Sequence, residues 1–123
     1  MGIDYGKKNL GISIAATPLA EPLTILDNNA SSIHAIRLLC RQHRIDKIII
    51  GVSEGTMAKN SRAFGSQLQT IGLPVEFHDE TLTSYEANLK LRHTKKSVRS
   101  EPQDAYQATL ILQDYLDTRK SAE

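Results

Sequence analysis

Residues 1–16, MGIDYGKKNLGISIAA, carry the pattern of a β-hairpin and decide how the fold begins. The first residues are apolar around Asp4, and residues 10–16 alternate leucine or isoleucine with small residues, which is typical of strands. Between them YGKKN, at 5–9, predicts a turn, because glycine and asparagine tolerate a positive φ. With a third strand expected at 21–26, the chain begins as an antiparallel meander of three strands.

The hydrophobic period then changes to that of helices alternating with buried strands. Apolar residues recur at helical spacing over 30–43, and the apolar run 46–52, DKIIIGV, is typical of a buried parallel strand. A second helix is predicted over 59–71, closed by Gly72 and followed by a short strand at 74–77.

Two more helices are predicted in the last third of the chain. Thr83 and Glu86 form a T-x-x-E capping box that opens a helix to about Leu91. Pro102 stands in the first turn of a helix, capped by Ser100 or Glu101, that runs to about Thr118. The order β-β-β-α-β-α-β-α-α predicts an α/β fold with a mixed five-stranded sheet flanked by helices, which is the order of the RNase H-like fold.

Composition limits the classes of protein that the chain can belong to. Its 123 residues predict a single domain over 1–123. The chain has 15 Lys and Arg against 14 Asp and Glu, so it lacks the basic excess of a non-specific nucleic-acid coat protein. The single cysteine excludes an internal disulfide and suits a reducing compartment. Without a secretory signal pattern or an apolar run that could span a bilayer, we expect a cytoplasmic protein that does not enter a membrane.

Two acidic positions near strands are candidates for chemistry. Asp4 lies in an apolar strand, where a carboxylate is costly to bury unless it is paired or binds a metal ion; the alternative is a cap for the following turn. Asp79 and Glu80 follow the strand 74–77, and the carboxyl ends of strands in open α/β sheets face the ligand crevice. The alternative for this acidic pair is that one carboxylate stabilises the start of the next helix through its dipole.

Asp104 is the third acidic candidate. Helical geometry places it on one face with Ala108, Ile111 and Tyr115, so it is the acid of the last helix that we expect to point inward. The alternative is a partner for the helix dipole. Two other acids of this helix are expected to point to solvent: Asp114 and Asp117.

Three acids from distant parts of the chain could form one metal site. Oxygen ligands favour Mg²⁺ or Mn²⁺ over zinc, and two such ions about 4 Å apart suit in-line displacement at a phosphodiester. Basic side chains could contact phosphates, with solvated surface residues as the alternative. The candidates for nucleic-acid contact are Lys7, Lys8, Arg62, Arg92, Lys95, Lys96 and Arg99.

Four sequence blocks carry a resemblance to a known family. They are GIDYG at 2–6, IIIGV at 48–52, FHDETLTS at 77–84 and QDAYQATLILQDYLD at 103–117. Together, in this order and over essentially the whole chain, they resemble the YqgF/RuvX family. Thr81 stands where that family carries an arginine, which puts a substrate contact in question.

The resemblance implies an RNase H-like hydrolase acting on ester bonds, a nuclease with Asp4, Glu80 (Asp79 beside it) and Asp104 as ligands of Mg²⁺ or Mn²⁺. It also implies 5′-end processing of pre-16S rRNA in the bacterial cytoplasm, with nucleic acid (pre-rRNA or branched DNA) and ribosomal particles as partners. A Holliday junction resolvase is the first alternative and favours a two-fold dimer, whereas the rRNA nuclease is expected as a monomer or homodimer. A nucleic-acid-binding module without catalysis is the second. An actin-like ATPase, which shares D-x-G on a first hairpin, is disfavoured because it needs a duplicated domain.

Overall fold

A five-stranded mixed sheet in the order β3-β2-β1-β4-β5 forms the centre of the computed structural model, which describes residues 1–52, 56–79 and 103–122. The first three strands pair antiparallel, and β4 and β5 run parallel to β1. The predicted meander and its continuation by βαβ units are therefore confirmed. The strands are β1 (Gly2–Tyr5), β2 (Asn9–Ile14), β3 (Glu21–Asp27), β4 (Ile48–Val52) and β5 (Val75–Asp79).

Three α-helices accompany the sheet in the part of the chain that is described: α1 (Ser32–Gln42), α2 (Thr56–Leu68) and α3 (Gln103–Ala122). The second begins three residues before its predicted start, and its last predicted turn is the 3₁₀ helix Gln69–Ile71, closed by Gly72 at φ 95°. The third continues to Ala122, past the predicted end at Thr118. The helix predicted at 83–91 and the cap predicted at Ser100 or Glu101 with Pro102 lie outside the described residues.

The sheet buries a different cluster on each face. Ile3, Ile12 and Ile50 pack with Ile36 of α1 and Phe64 of α2 on one face, and this is the larger core. Ile49 packs with Ile111 and Leu112 of α3 on the other. Strand alternation explains how neighbours in the run 48–52 serve both cores, because successive side chains point to opposite faces. None of the described helices is long and apolar enough to cross a membrane.

Helix α3 approaches β1 and β2 closely because small residues face it. A Cβ on Gly2 would lie 2.8 Å from Cβ of Leu112 and 2.9 Å from the carbonyl oxygen of Ala108. The hydroxyl of Ser13, fully buried on the neighbouring strand, donates a hydrogen bond of 2.8 Å to that same carbonyl. The hydrogen bond from Ser13 to Ala108 and the absence of a side chain at Gly2 together fix the distance between α3 and the sheet.

Candidate active site

Asp4 lies in the central strand with a glycine on each side of it in the sheet. The register pairs it with Gly11 of β2 and with Gly51 of β4, so neither neighbour places a side chain beside its carboxylate. Directly paired residues share a face, and Gly2 two residues earlier contacts α3, so Asp4 is on the α3 face of the sheet. Asp4 is half-buried there. Asp4 therefore has no side chain beside it from either neighbouring strand.

The direction of α3 brings its first turn toward the same end of the sheet. The side-chain amide of Gln113 bonds to Ala20 N and Pro18 O, and Tyr115 accepts a hydrogen bond of 3.1 Å from Lys47. These contacts lie at the amino ends of β1 and β4. The helix therefore runs from the carboxyl ends of those strands toward their amino ends, and Asp104 lies one turn before Ala108, on the side of Asp4.

The other acidic candidates are described only in part. Asp79 is the last residue of β5, paired with Val52 at the carboxyl end of β4. Asp79 and Asp104 are described by their backbones and not by their side chains, and Glu80 lies outside the described residues. Within residues 1–52, 56–79 and 103–122, no group of three or more His, Cys, Asp or Glu side chains is close enough to hold a metal ion. The assignment of all four acids stays a prediction.

A polar cluster joins α3 to the edge strand β5, and it corrects one expectation. Asp114, predicted to point to solvent, places Oδ2 2.6 Å from Nε2 of His78. The prediction was wrong because helical geometry alone gives the direction of a side chain and not the neighbour it meets; here the sheet edge supplies a histidine. Asp117 is exposed, as predicted, and accepts a hydrogen bond of 3.1 Å from Gln113.

The same cluster continues at Glu76, two residues before His78 on β5, and at Tyr115, next to Asp114 on α3. The hydroxyl of Tyr115 donates to Glu76, and Lys47 reaches both, at 3.1 Å from the hydroxyl and 3.4 Å from the carboxylate. The hydrogen bond with Tyr115, and after it the one with Glu76, raises the pKa of Lys47. This half-exposed cluster fixes β5, whose end carries Asp79, against the helix that carries Asp104.

The basic candidates that are described lie on the surface. Lys7 and Lys8 are exposed in the turn between β1 and β2, and Asn28 holds that turn through bonds of 2.7 Å to Gly6 O and 2.8 Å to Lys8 O. The turn follows β1 directly, so both lysines are at the same end of the sheet as Asp4. Arg62 is exposed on α2 with its guanidinium 5.3 Å from the centre of the Phe77 ring. Arg92, Lys95, Lys96 and Arg99 lie outside the described residues.

Sequence reasoning missed the two glycines beside Asp4. Gly11 and Gly51 each stand inside an apolar strand, and a glycine in such a place often marks a close approach by another group. That signal was present in the sequence, but only the register shows that both positions are neighbours of the same aspartate. The polar cluster was missed for the same reason, since its members are far apart along the chain.

Comparison with known proteins shows the family to which the chain belongs. The family model for RuvX, described as Holliday junction resolvase, matches residues 1–118. A protein of Anaeromyxobacter sp. (strain K) named "Putative pre-16S rRNA nuclease" is 31% identical over 132 residues, covering 97% of this chain and 96% of its own. A protein of Moorella thermoacetica with the same name is 37% identical over 131 residues, covering 95% and 93%.

One solved structure has the same fold. It is described as "T. thermophilus RuvC in complex with Holliday junction substrate", and it superposes with a TM-score of 0.66 over 97% of this chain and 93% of that one. At 18% sequence identity the likeness concerns the fold alone, and it confirms the predicted RNase H-like architecture.

Both descriptions, resolvase and rRNA nuclease, name nucleases, enzymes that hydrolyse phosphodiester bonds. The match spans nearly the whole chain, and the sheet order and helix placement are those predicted for the fold. The chain therefore belongs to the RuvX family of nucleases.

Proposed function

We propose that the chain is a divalent-metal-dependent nuclease of structured RNA, acting in 5′-end processing of pre-16S rRNA. Asp4, Glu80 and Asp104 are the catalytic acids, with Asp79 beside them as a further ligand. The substrate is taken from the names of the relatives in Anaeromyxobacter and Moorella. The whole chain, 1–123, acts as one nuclease domain in the cytoplasm, with ribosomal particles delivering the substrate.

The observation that carries the proposal is the setting of Asp4. Its neighbours in the sheet are Gly11 and Gly51, and the first turn of α3 is directed toward the same end. A structural carboxylate in mid-sheet does not need a glycine on both sides. A carboxylate that binds a metal ion and a phosphodiester needs neighbouring positions without side chains.

The donor chemistry of the candidate acids fits Mg²⁺ or Mn²⁺. All four candidates offer carboxylate oxygens, the ligands that these cations prefer. Bound there, the cation would supply charge stabilisation at the scissile phosphate and a nucleophilic water at neutral pH. Lys7 and Lys8, at the same end of the sheet as Asp4, would hold the flanking phosphates.

The first test replaces one carboxylate oxygen in the site. Asp4→Asn should abolish Mn²⁺-dependent cleavage of a labelled pre-16S 5′-leader RNA while leaving the unfolding midpoint close to that of the wild type. Asp27→Asn is the matched control, since Asp27 is an exposed acid at the end of an edge strand of the same sheet. Cleavage that persists in chelator, or an active Asp4→Asn protein, would overturn the proposal.

The same assay tests each of the three other candidate acids separately. Asp79→Asn, Glu80→Gln and Asp104→Asn are compared with the wild type at several Mn²⁺ concentrations. Substitution of a metal ligand should raise the metal concentration needed for half-maximal cleavage or abolish cleavage outright. If Asp79→Asn behaves as the wild type and Glu80→Gln does not, Glu80 alone is the ligand from this pair.

A second candidate substrate is the four-way DNA junction, favoured by the description of the family. Resolution requires two symmetric cuts, so this function predicts a two-fold homodimer on the junction, whereas the RNA nuclease can act as a monomer. The two substrates are compared in the same buffer, with the mass of each complex measured. Faster cutting of the junction by a dimer would replace the RNA proposal. Binding of both substrates without cleavage in any metal would indicate a non-catalytic module.

A further inference from the structure

A cleft of about 470 Å³ opens between the end of α1 and the segment that follows α2. Three arginines line it, Arg37, Arg41 and Arg44, together with the aliphatic side chains of Ile71 and Leu73. It lies near the amino ends of β4 and β5, on the face of the sheet covered by α1 and α2. Asp4 lies on the opposite face, so the cleft is separate from the candidate active site.

The three arginines form one cationic edge. Their spacing of four and three residues places them along one side of α1 and its final turn. Among the described residues, no carboxylate lies within ion-pair distance of any of the three guanidinium groups. The nearest acid in sequence, Asp46, is exposed and lines a neighbouring cavity with Arg44 without pairing with it. Within the described residues these three charges converge without a neutralising carboxylate, in a chain whose net charge is only +1.

The backbone at Arg44 is a second, independent observation. Arg44 has φ 53°, and it is the only non-glycine residue at positive φ among the described residues. It ends α1 in a Schellman arrangement, in which Ile45 N donates to Cys40 O at 2.9 Å and Arg44 N donates to Arg41 O at 3.4 Å. Glycine is the residue that this position favours, because a Cβ is strained there. The arginine at this position therefore strains the backbone, and its side chain lines the cleft.

The chemistry of the lining selects the ligand. Guanidinium groups bind phosphate oxygens through paired, charge-assisted hydrogen bonds. The hydroxyl of Thr70, also in the lining, already donates to Gln67 O at 2.7 Å, so the arginines supply the donors. Ile45, Ile71 and Leu73 are half-buried and offer an aliphatic surface on which a nucleoside could rest. Phosphate beside a flat, partly apolar group is the chemistry of a nucleotide.

We propose that the three-arginine cleft is a second phosphate-binding site, which anchors a nucleic-acid strand away from the place of cleavage. It contributes to affinity and takes no part in the chemical step. The identification of the phosphate as part of a nucleic acid rests on the proposed function, whereas the binding of a phosphate group does not.

The test measures binding without cleavage. A fluorescein-labelled single-stranded RNA is titrated with protein in chelator, and Arg37→Gln/Arg41→Gln is compared with the wild type. The double variant should bind about tenfold more weakly, and its slope of log affinity against log salt should fall by about 1.4, which is two phosphate contacts on a single strand. Lys59→Gln is the control for loss of an exposed positive charge outside the cleft. Equal losses in the two proteins, or none in the double variant, would overturn the proposal.

A single variant separates the role of Arg44 in binding from its role in folding. Arg44→Gly removes both the strain and the charge, so it should raise the unfolding temperature and weaken RNA binding. A variant that is more stable and binds as well as the wild type would refute the assignment of Arg44. Because the variant is expected to be more stable, loss of binding cannot be attributed to unfolding.

Two further measurements distinguish the source of the phosphate and the dependence on catalysis. Backbone amide shifts of Ile71 and Leu73 are followed by NMR with AMP, with inorganic phosphate and with the RNA. Shifts with RNA at concentrations where AMP gives none support a strand; tight binding of AMP, with RNA affinity unchanged in the double variant, overturns it. Asp4→Asn protein should retain the contribution of the cleft to RNA affinity. A wild-type protein that cleaves no RNA in any metal, yet binds RNA through the cleft, would show that the proposed catalysis alone has failed.

Discussion

Asp4 and its neighbours illustrate how single residues set the geometry of the candidate site. Gly11 and Gly51 place no side chain beside the aspartate, and Gly2 lets α3 approach the same strand. These glycines have different roles, since two flank the candidate ligand Asp4 and one lies against a helix. The distinction arises because α3 lies directly above Gly2, only two residues before Asp4 in β1.

Gly2→Ala and Gly65→Ala give a matched prediction at this scale. The added methyl at Gly2 would meet Leu112 Cβ and the backbone of Ala108, which cannot move without lifting α3. Gly2→Ala should therefore lower the free energy of unfolding by about 1–3 kcal/mol. At Gly65 the methyl would meet the ring of Phe77, 2.6 Å away, but that ring is 37% exposed and can turn outward. Alanine also favours a helix over glycine, so Gly65→Ala should cost less than about 1 kcal/mol. Urea unfolding of both variants measures the difference, and equal losses would contradict it.

The contact between α3 and β5 is the feature at the scale of elements that is most relevant to the candidate site. His78 and Asp114 form one pair, and Glu76, Tyr115 and Lys47 form the next. The edge strand is thus joined to the helix by polar side chains, whereas β4 packs against the same helix through the apolar side chain of Ile49. Because Asp79 ends β5 and Asp104 begins α3, loosening this contact should disturb the acids without touching them.

Tyr115→Phe tests that contact. It removes the hydroxyl that donates to Glu76 and accepts from Lys47, which should lower the free energy of unfolding at pH 7 by about 1 kcal/mol, since the pair is partly exposed and screened. Cleavage activity should fall with it if β5 and α3 hold the acids. Tyr106→Phe is the control, because Tyr106 lies on the same helix and its hydroxyl has no hydrogen-bond partner among the described residues.

The pH dependence of this stabilisation has a definite sign. The folded-state pKa of Lys47 is raised above 10.5, so its contribution is complete at neutral pH and is lost as the pH rises through that raised value. The stability difference between the wild type and Tyr115→Phe should therefore be constant from pH 7 to about pH 9 and shrink above about pH 10. A difference that grows at alkaline pH would contradict the role assigned to Lys47.

At the scale of the whole molecule, charge distribution matters more than net charge. A chain with 15 basic and 14 acidic residues has almost no long-range field. It nevertheless exposes Lys7 and Lys8 at one end of the sheet and has the three-arginine cleft at the other. Binding to nucleic acid should then depend on salt through these local groups.

Lys7→Gln/Lys8→Gln tests this at the candidate active site. Loss of two phosphate contacts should reduce the slope of log affinity against log salt by about 1.4 on single-stranded RNA, and the affinity should fall most at low salt. The cleavage rate at saturating RNA should change little, because neither lysine is a proposed metal ligand. An unchanged salt dependence in filter binding would remove the turn from the interface.

Much of the fold follows from local patterns along the chain. The meander, the buried strand at 48–52 and the order of helices were predicted because strand and helix periods are properties of neighbouring residues. Boundaries were less well predicted: α2 begins at Thr56, and its predicted last turn is a 3₁₀ helix.

The sequence by itself determined the order of strands and helices along the chain, the family and the choice of candidate acids, because these depend on periodicity and on short blocks of neighbouring residues. Only the tertiary structure decided that Asp4 lies between two glycines, that Asp114 meets His78 and that three arginines share one cleft. Each of these depends on strand register or on the packing of elements distant in sequence. A shift of one residue in register would turn Asp4 to the other face of the sheet, and the residues that then stand beside it come from segments distant in the chain.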